Sequence, residues 1–156
     1  MLLFERQGET HLIFTRRTED LATHKGQISF PGGAWEPSDP SLEATALRET
    51  EEELGIDPGQ VQILRQLPDV PTVSSNFTIT PFLARLAAEP SYRPDEREVA
   101  EVIEVPLAAL RDPGIFWEEV WPAEEGGSRT VYFYRYGKHI IWGATARILK
   151  EYLETL

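Results

Sequence analysis

Apolar and polar positions divide the chain into short segments of two periods. Met1–Phe4 and Leu12–Phe14 are apolar runs on either side of Gln7-Gly8-Glu9-Thr10, which predicts a hairpin. Gln27–Phe30 reads as a short strand stopped by Pro31-Gly32-Gly33, a sequence that does not continue a ladder. Further strands are expected at Gln60–Gln66, Asn76–Ala87 and Val99–Val105, with Pro81 marking an edge or a bulge in the second. Trp117–Trp121 and Thr130–Tyr136 flank Glu124-Glu125-Gly126-Gly127, a second hairpin whose glycine pair serves as its turn. Helical spacing appears three times. Asp39 offers an N-cap and Pro40 a first helical residue, so a helix is expected over Pro40–Leu54, closed by Gly55. Pro106–Arg111 reads as a short helix, and Trp142–Leu156 as a terminal one with Ile148, Leu149 and Tyr152 apolar.

This alternation predicts an α/β fold, a central sheet with helices placed to cover both of its faces. At 156 residues the chain is expected to be one domain, 1–156, large enough for a real core. The first strand is short, so either its edge is clipped or the protein starts upstream of Met1. Hydrophobic residues make up 41%, a globular value. Cysteine is absent, which excludes disulfides, thiolate catalysis and cysteine-held zinc. No apolar run approaches roughly 18 residues, and no basic-then-apolar leader is visible, so a cytoplasmic protein without a membrane partner is expected. The net charge of −11 argues against nucleic acid as a partner and would also repel an anionic small substrate. A phosphate ester would need local cations to overcome that field.

Such a cation is what the most distinctive segment calls for. In Arg48-Glu49-Thr50-Glu51-Glu52-Glu53-Leu54-Gly55-Ile56, Glu49, Glu52 and Glu53 fall within about 100° of one helix side. Leu47, Thr50 and Leu54 form the buried stripe of another. Neighbouring carboxylates repel, and the C-terminal end of a helix favours cations. A glutamate run alone is most often a solvated helix face. Here it follows a Gly-Gly turn, a helix start and an arginine, and a hard divalent ion with oxygen ligands, Mg²⁺ above all, is the natural occupant.

The pattern Gly33-x5-Asp39-x8-Arg48-Glu49-Thr50-x-Glu52-Glu53-x-Gly55-Ile56 resembles the Nudix box, G-x5-E-x7-R-E-U-x-E-E-x-G-U. It differs in having Asp39 as the first acid with one extra residue before Arg48, and Thr50 at the apolar position. Upstream, Leu12-Ile13-Phe14-Thr15-Arg16-Arg17-Thr18 and His24-Lys25-Gly26-Gln27-Ile28-Ser29-Phe30-Pro31-Gly32-Gly33 resemble the signature of the coenzyme A pyrophosphatase subgroup, although Ala22 stands where that subgroup often has a basic residue. Pro81-Phe82, Glu98-Val99, Val105-Pro106-Leu107 and Trp142-Gly143-Ala144-Thr145-Ala146 are similar to it in order and spacing.

The resemblance implies an α/β/α sandwich around a mixed sheet and hydrolysis of a nucleoside diphosphate linked to a group X. It implies Glu52 and Glu53 as principal metal ligands, Glu49 as a further ligand or the base, and the Gly33 carbonyl completing the shell. Arg48 would clamp a glutamate in place, and Glu98 would be an added ligand, a base, or only part of an exposed charged run. Arg16, Arg17, Lys25 and Gln27 lie on the segment expected to hold substrate phosphates. His24 reads as a loop histidine, and Trp117, Trp121 and Trp142 as core residues rather than base-stacking ones. The expected enzyme is a Mg²⁺- or Mn²⁺-dependent diphosphatase of coenzyme A, monomeric or homodimeric. The alternatives are hydrolysis of another substrate such as ADP-ribose or NADH, and a non-catalytic nucleotide sensor.

Overall fold

A computed structural model describes residues 1–73 and 75–156. Strands β1 (Leu2–Arg6) and β2 (Glu9–Arg17) form the expected hairpin, its turn made by Gln7 and Gly8, both at positive φ. Strand β2 pairs along its other edge with β8 (Val99–Pro106), and near its end with β3 (Ile28–Ser29). Strand β1 runs parallel to β7 (Phe82–Leu86), which pairs antiparallel with β4 (Val61–Gln66). The result is a mixed six-stranded sheet.

Alternation along β1 and β2 fills two cores. Leu3, Leu12 and Phe14 point into one, with Ile148, Leu149 and Tyr152 of α3 (Gly143–Leu153) and Leu110 of α2 (Leu107–Leu110). Leu2, Phe4 and Ile13 point into the other, with Leu54, the last residue of α1 (Leu42–Leu54), and Ile56. Each strand therefore has apolar runs rather than strict alternation, because both of its faces are covered. The expected sandwich is the observed one.

Three boundaries differ from the sequence reading. Pro81 is neither edge nor bulge but a break: β6 (Thr78–Ile79) pairs with β5 (Val70–Pro71) in a separate ribbon, and β7 joins the main sheet. A strand β11 (His139–Trp142) precedes the terminal helix and completes a three-stranded sheet with β9 (Phe116–Pro122) and β10 (Ser128–Tyr136). Helix α1 starts at Leu42, capped by Ser41, whose Oγ accepts from the Ala44 amide at 3.1 Å. Asp39 is thus not the cap, and Pro40 stays outside the helix.

Candidate active site

Helix α1 carries the box; its C-terminal end is fixed by backbone and its N-terminal end by side chains. At its C-terminal end Gly55 takes the left-handed conformation (φ 68°) and donates to the Glu51 carbonyl. A Cβ on Gly55 would fall 2.8–3.2 Å from Arg93, so glycine is required twice over. That closeness lets the segment before β8 bond the helix end: the Arg93 amide donates to the Leu54 carbonyl at 2.8 Å and the Asp95 amide to the Glu53 carbonyl at 3.0 Å. The Thr18 amide and hydroxyl then hold the carbonyls of Glu98 and Arg97, each at 3.0 Å. The end of β2, the Glu98 loop and the end of α1 are one connected unit.

At the other end, Asp39 has a different role from capping. Its buried carboxylate accepts two bonds from Arg48, Nε at 2.8 Å and Nη2 at 2.9 Å, besides the Glu36 amide and the Thr45 hydroxyl. The guanidinium holds this carboxyl well below the usual carboxylate range. Arg48 also donates to the Ala34 carbonyl at 3.1 Å, to Glu49 at 3.0 Å and to Glu52 at 3.3 Å. One arginine therefore ties the glycine-containing loop, the helix and two of the box glutamates together. Its fork of five donors suits this, and a lysine could not reproduce it.

The carboxylates divide by environment. Glu52 is exposed, Glu49 half-buried, and Glu53 only 6% exposed. The three share one helix side by period but not one environment, since Glu53 is buried, and Leu47 of the expected buried stripe is only half-buried. Burial pushes the Glu53 carboxyl up to about 8, and the charges of Glu49 and Glu98 push the same way. A backbone hydrogen bond from Gly32 and the charge of Arg17 oppose them weakly. Burial also raises Glu49, with Arg48 opposing. The carboxylate of Glu49 lies against Gly33, where a Cβ would come within 2.3–2.6 Å of it. Glu98 is exposed and close enough to act electrostatically on Glu49 and Glu53. Among the described residues no three acidic or histidine side chains converge at ligand distances, because Glu49 and Glu52 turn toward Arg48.

The basic segment is split as well. Arg16 and Arg17, as successive residues of a strand, point to opposite faces, and the pairing with β8 shifts register between them. Arg16 is engaged by Glu101 at 3.2 Å, which also meets His139 at 3.2 Å. The charge of Arg17 acts on Glu53, and among the described residues its buried Nε has no hydrogen-bond partner. Lys25 is exposed on the following loop, and Gln27 Oε1 accepts from His24 Nδ1 at 3.0 Å; His24 sits on that loop at positive φ. The three tryptophans Trp117, Trp121 and Trp142 are not core residues. They lie half-exposed on the outer face of the three-stranded sheet.

The sequence that builds this site matches a known family. The NUDIX domain family matches residues 1–124. A protein of Photorhabdus laumondii named as an uncharacterized Nudix hydrolase, NudL, is 41% identical over 141 residues, covering 90% of this chain and 74% of its own. A NudL of Escherichia coli O1:K1 is 36% identical over 147 residues, covering 94% and 75%. Among solved structures, the Nudix hydrolase RenU of M. smegmatis aligns with a TM-score of 0.59 at 22% identity, over 72% of this chain and 70% of that one. The NUDIX domain of Shewanella oneidensis NrtR, solved with ADP ribose, aligns at 0.52 and 20% identity, over 69% of each. At such identity these two share the fold. The chain belongs to the NUDIX family, and it is a Nudix hydrolase.

Proposed function

We propose that this Nudix hydrolase cleaves the diphosphate of coenzyme A or its derivatives to 3′,5′-ADP and 4′-phosphopantetheine, using Mg²⁺ or Mn²⁺. The observation that carries the metal-dependent site is Glu53: a buried carboxylate whose nearest charged neighbours include Glu49 and Glu98. The residues fit a hard divalent cation, since the donors are all oxygen and a positive charge among them removes a repulsion that the protein's own side chains leave standing. When bound, the ion neutralises the diphosphate and polarises phosphorus and a water. Glu52 and Glu53 would hold it, with the Gly33 carbonyl beside them. Glu49, lying against Gly33, would be a further ligand or would accept the proton of the attacking water. Glu98 would serve the same group of carboxylates from the opposite loop. Arg48 keeps Glu49 and Glu52 in place and fixes the Ala34 loop, so it acts through them.

Support for coenzyme A comes from the segment ahead of the box, which resembles the pyrophosphatase subgroup and supplies cations on the approach. Among the described residues Arg17 has a guanidinium nitrogen without a partner, and its charge acts on Glu53; Lys25 is exposed on the loop leading to Gly33. Arg16 contributes less directly, being paired with Glu101. Gln27 would orient that loop through His24. The 3′-phosphate gives these cations a role that a plain diphosphate would not. Coenzyme A should therefore be cleaved roughly ten- to a hundredfold more efficiently than dephospho-coenzyme A, the value of a charge-assisted contact. Arg17→Ala or Lys25→Ala should narrow that gap. Mass spectrometry of products from coenzyme A, ADP-ribose and NADH tests the assignment. Preference for ADP-ribose would overturn the coenzyme A reading, and binding without hydrolysis of any of them would favour a sensor.

A further inference from the structure

Three of the four tryptophans have their ring faces occupied. Trp117 stacks on Phe133 at 5.0 Å and 8°, and Trp142 stacks on the same ring at 6.2 Å and 13°. Trp121 packs obliquely against Phe133 and Trp142. Arg135 lies over Trp117 and Arg129 over Trp121. Glu119 accepts from the indole nitrogens of Trp117 and Trp121 at 3.2 and 2.8 Å. These three rings thus pack on Phe133, on one another or under an arginine.

Trp35 is different. It stands two residues beyond Gly33 and is 54% exposed. Its Nε1 donates to the Asp39 carbonyl at 3.2 Å, which fixes the ring by its one polar atom. The loop that carries it is held in turn by Arg48 on Ala34, by the Glu36 amide on the Asp39 carboxylate, and by the Asp39 amide on the Glu36 carbonyl. Among the described residues no aromatic ring and no cation stacks on Trp35. An indole normally hides its large apolar area, and here an anchored loop presents it to solvent instead. Its anchor is the same arginine that positions Glu49 and Glu52, so its place relative to the diphosphate site is fixed.

We propose that Trp35 is a substrate-binding residue on which the purine base of the nucleoside diphosphate stacks. The inference rests on the reading as a nucleoside diphosphate hydrolase, common to coenzyme A and ADP-ribose, and not on the choice between them. Base-on-indole stacking is sequence-tolerant and needs only a bare, rigid ring.

The test combines emission with kinetics. In the presence of Mg²⁺, 3′,5′-ADP should quench part of the wild-type tryptophan emission, and inorganic pyrophosphate should not. Trp35→Phe should lose that quenching while keeping the emission of the other three. In coenzyme A hydrolysis, Trp35→Ala should raise KM roughly tenfold with kcat within about twofold, and Trp35→Phe should recover most of the loss. Quenching that persists in Trp35→Phe overturns the platform. So does an unchanged KM in Trp35→Ala, which would leave the coenzyme A reading intact. Quenching that depends on Trp35 supports the platform even if coenzyme A itself is not cleaved.

Discussion

Glu53 and Glu104 sit in one framework, each with a carboxylate drawn out of solvent, and their surroundings are opposite. Glu104, on β8, receives Arg6 through two nitrogens, at 2.6 and 3.3 Å, and the Tyr92 hydroxyl at 2.8 Å. Those partners outweigh its burial and lower its carboxyl below the usual range. Glu53 is more buried, takes one backbone bond from Gly32, and has two further carboxylates nearby. Its carboxyl rises to about 8. The fold can satisfy a buried carboxylate and does so where the charge is structural. Where it leaves one unsatisfied, beside a glycine turn and an arginine clamp, the missing partner is expected from solution.

The largest effects should fall on catalysis. Glu53→Gln and Glu52→Gln, nearly isosteric, should each lower turnover by about two orders of magnitude or more without unfolding the domain, as read by steady-state rates and circular dichroism. Activity within a few-fold of wild type for both would remove them as ligands. Glu104→Gln should leave turnover within about twofold, since its partners are Arg6 and Tyr92. Arg48→Lys should fall between, with activity down roughly ten- to a hundredfold, because a lysine cannot hold Asp39, Ala34, Glu49 and Glu52 together.

Smaller but more diagnostic are the opposed effects on stability, measured by melting the metal-free protein across pH. An unfolded glutamate titrates near 4.5, and native Glu53 near 8. Between those values the unfolded chain ionises first, so Glu53 costs stability as pH rises and the full cost is present above about 8. Glu53→Gln should therefore raise the melting temperature above pH 8, by about 2–4 kcal/mol of stability, with the gain vanishing below pH 4.5. Native Glu104 titrates below its unfolded value, so its contribution is present above about pH 4.5 and is lost as pH falls through the lower native value. Glu104→Gln should lower stability at neutral pH by about 1–2 kcal/mol, an effect that fades in acid. If both substitutions shift stability in the same direction at pH 8, the contrast between the two sites fails.

Much of this was legible in the residues, and the exceptions share causes. The hairpin, the helix end at Gly55 and the strand before Pro31 were readable because each depends on local chemistry: positive φ, or a missing amide. Strand β11 was not, since His139–Trp142 merges in sequence with the helix that follows and is set apart only by its pairing with β10. Asp39 looked like a cap because Asp-Pro before a helix usually is one. Its partner Arg48 is nine residues away, a separation that only the folded turn closes. The shared carboxylate face was readable from helical period, but the burial of Glu53 was not, because it depends on the Glu98 loop bonding across the helix end. Trp35 drew no notice in sequence, where one tryptophan among four carries no signal. Its exposure and its anchor are tertiary facts.

The most direct measurement is the Mg²⁺ dependence of melting temperature at pH 8 for the wild type and for the Glu52→Gln/Glu53→Gln double substitution. A ligand that binds only the native state stabilises it, by about 2.7 kcal/mol at a hundred times its dissociation constant. Saturating Mg²⁺ should raise the wild-type melting temperature by several degrees, and the double substitution should lose most of that rise. An equal rise in both proteins, or none in the wild type, would contradict a divalent-cation site at Glu52 and Glu53.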